Sequence, residues 1–343
     1  MNVTGNEQLD SWIVVDYYDK ERKPLPANAA FAVSSQPDGS PGMMTYGGDG
    51  ANGVRDFGTA LFYNADAGSW RTLRSKPQSR YTVEVPAVLD NNQTVWIWGG
   101  KSHDQDQVAE PETMVVVDRD QEMSTRETVF PADLYGRRGH SAALGADGYT
   151  IYYFGGLKGT SERRPLDNSY FGFNDISMDE ILVFDTHNLT WTKRTSNGSI
   201  TPSPRYLHTT TQIPGTNTIL LYGGRRFGTK DPVDDFCYMY DTESNEWTKV
   251  DLSASVGAGP RWGHSAVLYE NNRLFILFGV NIDGVATDDF YVLDVNKKQW
   301  EKGVGGMNTH CCSKSGGAAI IQGRRSKSGV IVIAVMMILL LVV

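Results

Sequence analysis

The chain has 343 residues, 40% hydrophobic and 21% charged, with a formal net charge of −8. That length supports a sizeable core, and the negative balance supplies no field for neutralising phosphates, so a general nucleic-acid role is excluded. Cys237, Cys311 and Cys312 cannot form a disulfide framework, while 36 glycines and 11% aromatics suit a strand-rich fold with many tight turns.

In chain order, the polar start MNVTGNEQLDSW is no signal peptide. Its NEQLDSW places an Asn six residues before a Trp (Asn6, Trp12). The same spacing returns in NADAGSW (Asn64, Trp70), DTHNLTW (Asp185, Trp191), DTESNEW (Asp241, Trp247) and DVNKKQW (Asp294, Trp300). Near Asp118 the Trp position holds Ser124. A second signpost precedes these: RYTVEVPAVLDNNQTVWIWGG from Arg80, RRGHSAALGADGYTIYYFGG from Arg137, RYLHTTTQIPGTNTILLYGG from Arg205, and RWGHSAVLYENNRLFILFGV from Arg261. Each runs from an Arg through two apolar segments to Gly-Gly, and the last has Val280 where the second Gly is due.

A period near 50 residues with four apolar segments per unit predicts a β-propeller. Gly-Gly permits positive φ and close backbone approach, the Asp or Asn caps a turn, and Trp covers apolar area between units. The in-phase Arg, Gly-Gly and Trp markers over residues 5–322 resemble the kelch repeat, and that resemblance implies blades of four antiparallel strands. Five units are expected, at 29–72, 80–126, 137–193, 205–250 and 261–302. Strand-like scraps at Trp12 and 316–322 predict a sixth, incomplete closing blade.

His140, His208 and His264 share one phase, as do Arg137, Arg205 and Arg261. Repetition assigns the histidines to packing and hydrogen bonding between blades, and the arginines to bonds with strand backbones or carboxylates between blades. Ser265 follows His264 directly, so in a strand the two point to opposite faces and make no nucleophile–base pair. No catalytic, cofactor or metal-ligand pattern emerges, and no cofactor is expected. Some kelch-like propellers are copper oxidases similar to galactose oxidase, so such an enzyme, or a carbohydrate-binding ectodomain, is the alternative reading.

The leading reading is a protein-interaction module using the loops between strands 2 and 3, at 101–112, 157–180, 225–235 and 281–289. Loops of this kind vary and carry binding. Arg163, Arg164, Tyr170, Phe171 and Phe173 from the second, with Arg225, Arg226 and Phe227 from the third, are the candidate residues. Arginines and aromatics on one rim anchor interfaces, here with an acidic or aromatic-bearing protein segment.

After a basic linker at 323–329 comes VIVIAVMMILLLVV, at 330–343. This run reads as a helical membrane segment, cut short against a hydrocarbon core of about 30 Å. The basic residues before it place the propeller on the cytosolic side; a missing signal peptide would place it outside. Sequons at Asn2, Asn92, Asn188 and Asn197 do not separate the two.

Overall fold

A computed structural model describes residues 13–14, 30–35, 41–47, 60–64, 67, 69–75, 82–102, 107–108, 113–118, 122–128, 130–131, 133–159, 172–301, 305–306, 320–322 and 333–335. These form strands and turns, with no helix among them. Five antiparallel blades appear, each with strands in simple meander order. Blade 1 comprises Ala30–Ser35, Pro41–Tyr46, Ala60–Asn64 and Ser69–Thr72. Blade 2 comprises Ala87–Leu89, Val95–Trp98, Thr113–Val117 and Glu122–Glu127. Blade 3 comprises Ser141–Leu144, Thr150–Phe154, Glu180–Asp185 and Thr190–Thr195. Blade 4 comprises Thr209–Gln212, Thr218–Tyr222, Cys237–Asp241 and Glu246–Lys249. Blade 5 comprises Ser265–Tyr269, Arg273–Leu277, Asp289–Asp294 and Gln299–Trp300.

The second strand of a blade is apolar throughout because both its faces are buried. TIYYF at Thr150–Phe154 has no exposed position, whereas the outer strand TWTKRT buries Trp191 and exposes the residues on either side. Alternation sends successive side chains to opposite interfaces. Val95 and Ile97 pack with Met44 and Phe62 of blade 1, while Trp96 and Trp98 pack with Ile151, Tyr153 and Phe184 of blade 3. Tyr152 and Phe154 then meet Ile219 and Leu221 of blade 4, and Leu220 and Tyr222 meet Leu274 and Ile276 of blade 5. The cores therefore lie between blades, as expected where a lone sheet cannot bury both faces.

The Trp marker reaches back into the preceding blade. The Trp191 ring lies 4.6 Å from that of Trp98, and its Nε1 donates to Thr128 Oγ1 at 2.9 Å. Trp247 Nε1 donates to the Met178 carbonyl of blade 3 at 3.1 Å. Trp247→Phe keeps the ring but leaves that carbonyl unpaired, so a loss of about 1–3 kcal/mol is expected in urea unfolding. The acidic marker caps the turn between strands 3 and 4: one carboxylate oxygen accepts two backbone N–H groups in Asp185, Asp241 and Asp294.

Two expectations about the chain ends are corrected. Among the described residues five full blades form, where six, the closing one incomplete, were expected. The ends instead share a three-stranded sheet in the order Ile13–Val14, Ile320–Gln322, Ile333–Val335. In a closing blade the N-terminal strand would occupy the outer edge, two places from 320–322; here Ile13 pairs directly with Gln322. The second correction concerns the apolar tail. Ile333–Val335 is a strand paired with Ile320–Gln322, as its β-branched neighbourhood favours, and the remainder of 330–343 lies outside the described residues. Among those described, no helix is long and apolar enough to cross a membrane.

Candidate functional site

The repeated Arg and His lie at or just before strand 1 of blades 3, 4 and 5. Arg137 is fully buried and meets Glu180 at 2.6 Å. Arg205 meets Asp235 at 2.8 Å, and Arg261 meets Asp289 at 2.8 Å. Each guanidinium also reaches the carbonyl closing strand 2 of its own blade: Gly155, Gly223 and Phe278 respectively. The carboxylates belong to strand 3, or its approach, of the same blade. The expected Arg–carboxylate bonds exist, but the side chains tie a blade to itself and not to its neighbour. Burial opposes ionisation of Asp235, yet Arg205 and the bonds from Ser203 outweigh it and hold its carboxyl below the usual range.

The contacts between blades come from the same residues' backbones. Gly100, Gly156 and Gly224 donate their N–H to the carbonyls of Arg137, Arg205 and Arg261 in the following blade, at 2.7, 2.8 and 2.9 Å. Bonds in the opposite sense run from Gly139 to Glu84, from Leu207 to Gly139 and from Gly263 to Leu207. Glu84 and Leu207, neither of them glycine, hold positive φ in this second series.

These pairings set the repeat register. Val83 pairs with Lys101 as Arg138 does with Leu157, so Thr82 holds the phase of Arg137; Arg80 lies outside the described residues. In blade 5, Trp262 pairs with Val280, which makes Phe278–Gly279 the counterpart of Gly-Gly. Val280 thus lies one place beyond the second Gly position.

The three histidines are buried against the preceding blade. The His140 ring packs edge-on to Trp98 at 5.4 Å and that of His264 to Tyr222 at 5.3 Å. His264 Nε2 hydrogen-bonds Thr209 Oγ1 at 2.8 Å. Burial, then the neighbouring repeat Arg, pushes His140 and His264 down to about 3 and moves His208 down strongly as well. They sit one per blade as uncharged packing groups, as the repetition predicts. Cys237 is buried and its thiol is pushed up to about 12 by burial, so it is no nucleophile. Among the described residues no three His, Cys, Asp or Glu side chains are grouped to hold a metal.

The loops between strands 2 and 3 bring some candidates together. In blade 3, Leu157–Gly159 pairs with Phe173–Asp175, giving the long loop a ribbon stem. Arg163, Arg164, Tyr170 and Phe171 lie outside the described residues. Phe173 meets Phe227 of blade 4 at 6.0 Å. Asp175 accepts the Phe227 N–H at 2.9 Å and faces Arg226 at 3.7 Å. Arg225 does not join them: its guanidinium lies 4.0 Å over Trp262 and 5.0 Å over Tyr206. Arg138 belongs to the site although its loop position gave no hint. It covers Phe173 at 4.5 Å while gripping Glu84 of blade 2 with two bonds of 2.7 and 2.8 Å. The usable signal was its place next to Arg137, where a second arginine breaks the repeat pattern.

A family model, the KLHDC2/KLHL20/DRC7 Kelch-repeats domain, matches residues 170–327. Rho GTPase-activating protein gacHH of Dictyostelium discoideum is 32% identical over 84 residues, covering 24% of this chain and 5% of that protein. Mouse Kelch domain-containing protein 1 is 24% identical over 162 residues, 44% of this chain and 38% of the relative. Adagio protein 3 of Arabidopsis thaliana is 30% identical over 118 residues, 34% of this chain and 18% of that protein. The chain thus spans well under half the length of these relatives. A solved structure titled Structure of YjhT shares the fold, with a TM-score of 0.57 over 83% of this chain and 84% of that one at 13% identity. In-phase Arg, Gly-Gly and Trp markers, four-stranded blades stacked face to face, and these matches together support a kelch-repeat β-propeller, with the family model covering residues 170–327.

Proposed function

We propose that the propeller is a non-enzymatic protein-interaction module, working through the face that carries the loops between strands 2 and 3 and the connections between blades. One observation carries this reading. Among the described residues the exposed large hydrophobics are Ile200, Phe227, Val256, Ile282 and Val285. All five fall in those loops and connections. The turns of the other kind, between strands 1 and 2 or 3 and 4, are closed by Asp90, Asp147, Asp185, Asp241 and Asp294 accepting local N–H groups. Apolar groups left in water on one face only are the usual mark of an interface.

The pair Phe173–Phe227, flanked by Arg226, is the aromatic anchor of this face and the part of the expected patch that the fold assembles. Affinity purification with the full chain tests the reading. Arg226→Ala combined with Phe227→Ser is expected to lose the co-purifying proteins without lowering the melting temperature, because both side chains are exposed. Glu243→Ala, on a turn between strands 3 and 4, is expected to keep them. Retention by the loop variant and loss by the turn variant would assign binding to the opposite face.

A further inference from the structure

We infer that the sector of this face formed by blades 4 and 5 docks a cationic, apolar-bearing segment of a partner protein; this rests on the interaction reading above and gives that site its chemistry. The two loops share one base. Trp262 Nε1 donates to the Lys230 carbonyl of the blade 4 loop at 2.9 Å, and Trp262 pairs with Val280, at the root of the blade 5 loop. Above it, Phe227, Ile282 and Val285 are 43%, 50% and 55% exposed.

The blade 5 apolar pair is held out by a rigid turn. The Asn281 side-chain oxygen accepts the N–H groups of Asp283 and Val285, both at 3.0 Å, and its carbonyl accepts that of Gly284 at 3.0 Å. Gly284 supplies the φ of 72° that the turn needs. Apolar side chains fixed in water by a pre-formed turn lose little freedom on docking.

Charge selects the occupant. The arginines that suggested an acidic partner are engaged: Arg225 lies on the Trp262 and Tyr206 rings, and Arg226 faces Asp175. Asp235 and Asp289 are engaged too, by Arg205 and Arg261. What remains exposed in the two loops is Asp231, Asp234, Asp283 and Asp288 against Lys230 and Arg226, the last already facing Asp175. Among the described residues none of these carboxylates meets a cation within 4.0 Å. Exposed apolar side chains on two neighbouring loops whose carboxylates outnumber their cations complement lysine or arginine beside leucine-like side chains, and disfavour an acidic segment.

A displayed library of random 12-residue peptides, panned against the full chain, tests this. Enriched peptides are expected to carry net positive charge with aliphatic or aromatic residues, and to bind at least tenfold more weakly in 0.5 M salt. Asp283→Asn with Asp288→Asn, and separately Ile282→Ser with Val285→Ser, are each expected to weaken them at least tenfold while the melting temperature stays unchanged. Peptides that are acidic, or that ignore both pairs of substitutions, overturn the inference, as does failure to enrich any. If such peptides still respond to Arg226→Ala/Phe227→Ser, the loop face stands as the binding surface and only its proposed chemistry fails. If they respond to Glu243→Ala instead, both readings fall.

Discussion

Lowering the pH from 7 to 4.5 is expected to remove about 5 kcal/mol of folding stability through His140 and His264, with His208 acting in the same direction. His140, His208 and His264 are buried, and their affinity for protons is depressed in the folded state, to about 3 for the first and last. In the unfolded chain each regains an ordinary value near 6.5. Below that pH the unfolded state binds protons that the folded state refuses, so stability falls as pH falls. The loss begins near 6.5 and levels off near 3. With His140 and His264 acting together the slope reaches about 3 kcal/mol per pH unit, and His208 steepens it, against a typical total of about 5–15 kcal/mol. Urea unfolding at pH 7, 6 and 5 measures the slope. A slope corresponding to fewer than one proton would contradict the burial of these rings. His140→Leu is expected to reduce proton uptake on unfolding by about one.

Arg261→Leu is expected to cost about 3–5 kcal/mol, enough to approach unfolding at neutral pH. Its guanidinium bonds the carbonyls of Ala258 and Phe278 and the carboxylate of Asp289. Leucine would leave all three without this partner, two of them carbonyls in the buried seam of the blade. Asp289 remains partly exposed and regains water, which favours the lower end of that range. Arg261→Lys should recover less than half, because one ammonium cannot span the Ala258 carbonyl on one side and Phe278 and Asp289 on the other. Denaturant midpoints decide this; a shift worth less than about 1 kcal/mol would show that the cluster is dispensable.

The propeller was legible because its constraints repeat. Four strands per unit, capping by Asp185, Asp241 and Asp294, and the backward reach of Trp191 and Trp247 all follow from residue types at fixed spacing. The direction of the Arg bonds was not legible, since a carboxylate in the same blade and one in the next look alike in sequence. Register slipped at blade 5 for a physical reason. A side chain at Gly223 would stand within 2.3 Å of the Arg261 carbonyl in the next blade, so glycine is enforced where another full blade follows. Among the described residues no further full blade follows blade 5, and that phase carries Phe278. Fourteen apolar residues fit a helix as readily as strands, and pairing with Ile320–Gln322 decides for a strand at Ile333–Val335. On the loop face, Phe173 and Phe227 were candidates from the loop composition, and their rings meet. The engagement of Arg225 by Trp262 was not legible, because it depends on where the neighbouring blade sets that ring.

The bonds from Gly263 to Leu207, Leu207 to Gly139 and Gly139 to Glu84 join main chain to main chain. Their donors and acceptors are the same whichever residue occupies the position, as glycine, leucine and glutamate already demonstrate. A unit excised between two equivalent points would leave a free N–H opposite a free carbonyl, ready to rejoin. Duplication or loss of a whole sheet in a gene of this kind therefore meets no polar mismatch at the hub, and sheet number can drift.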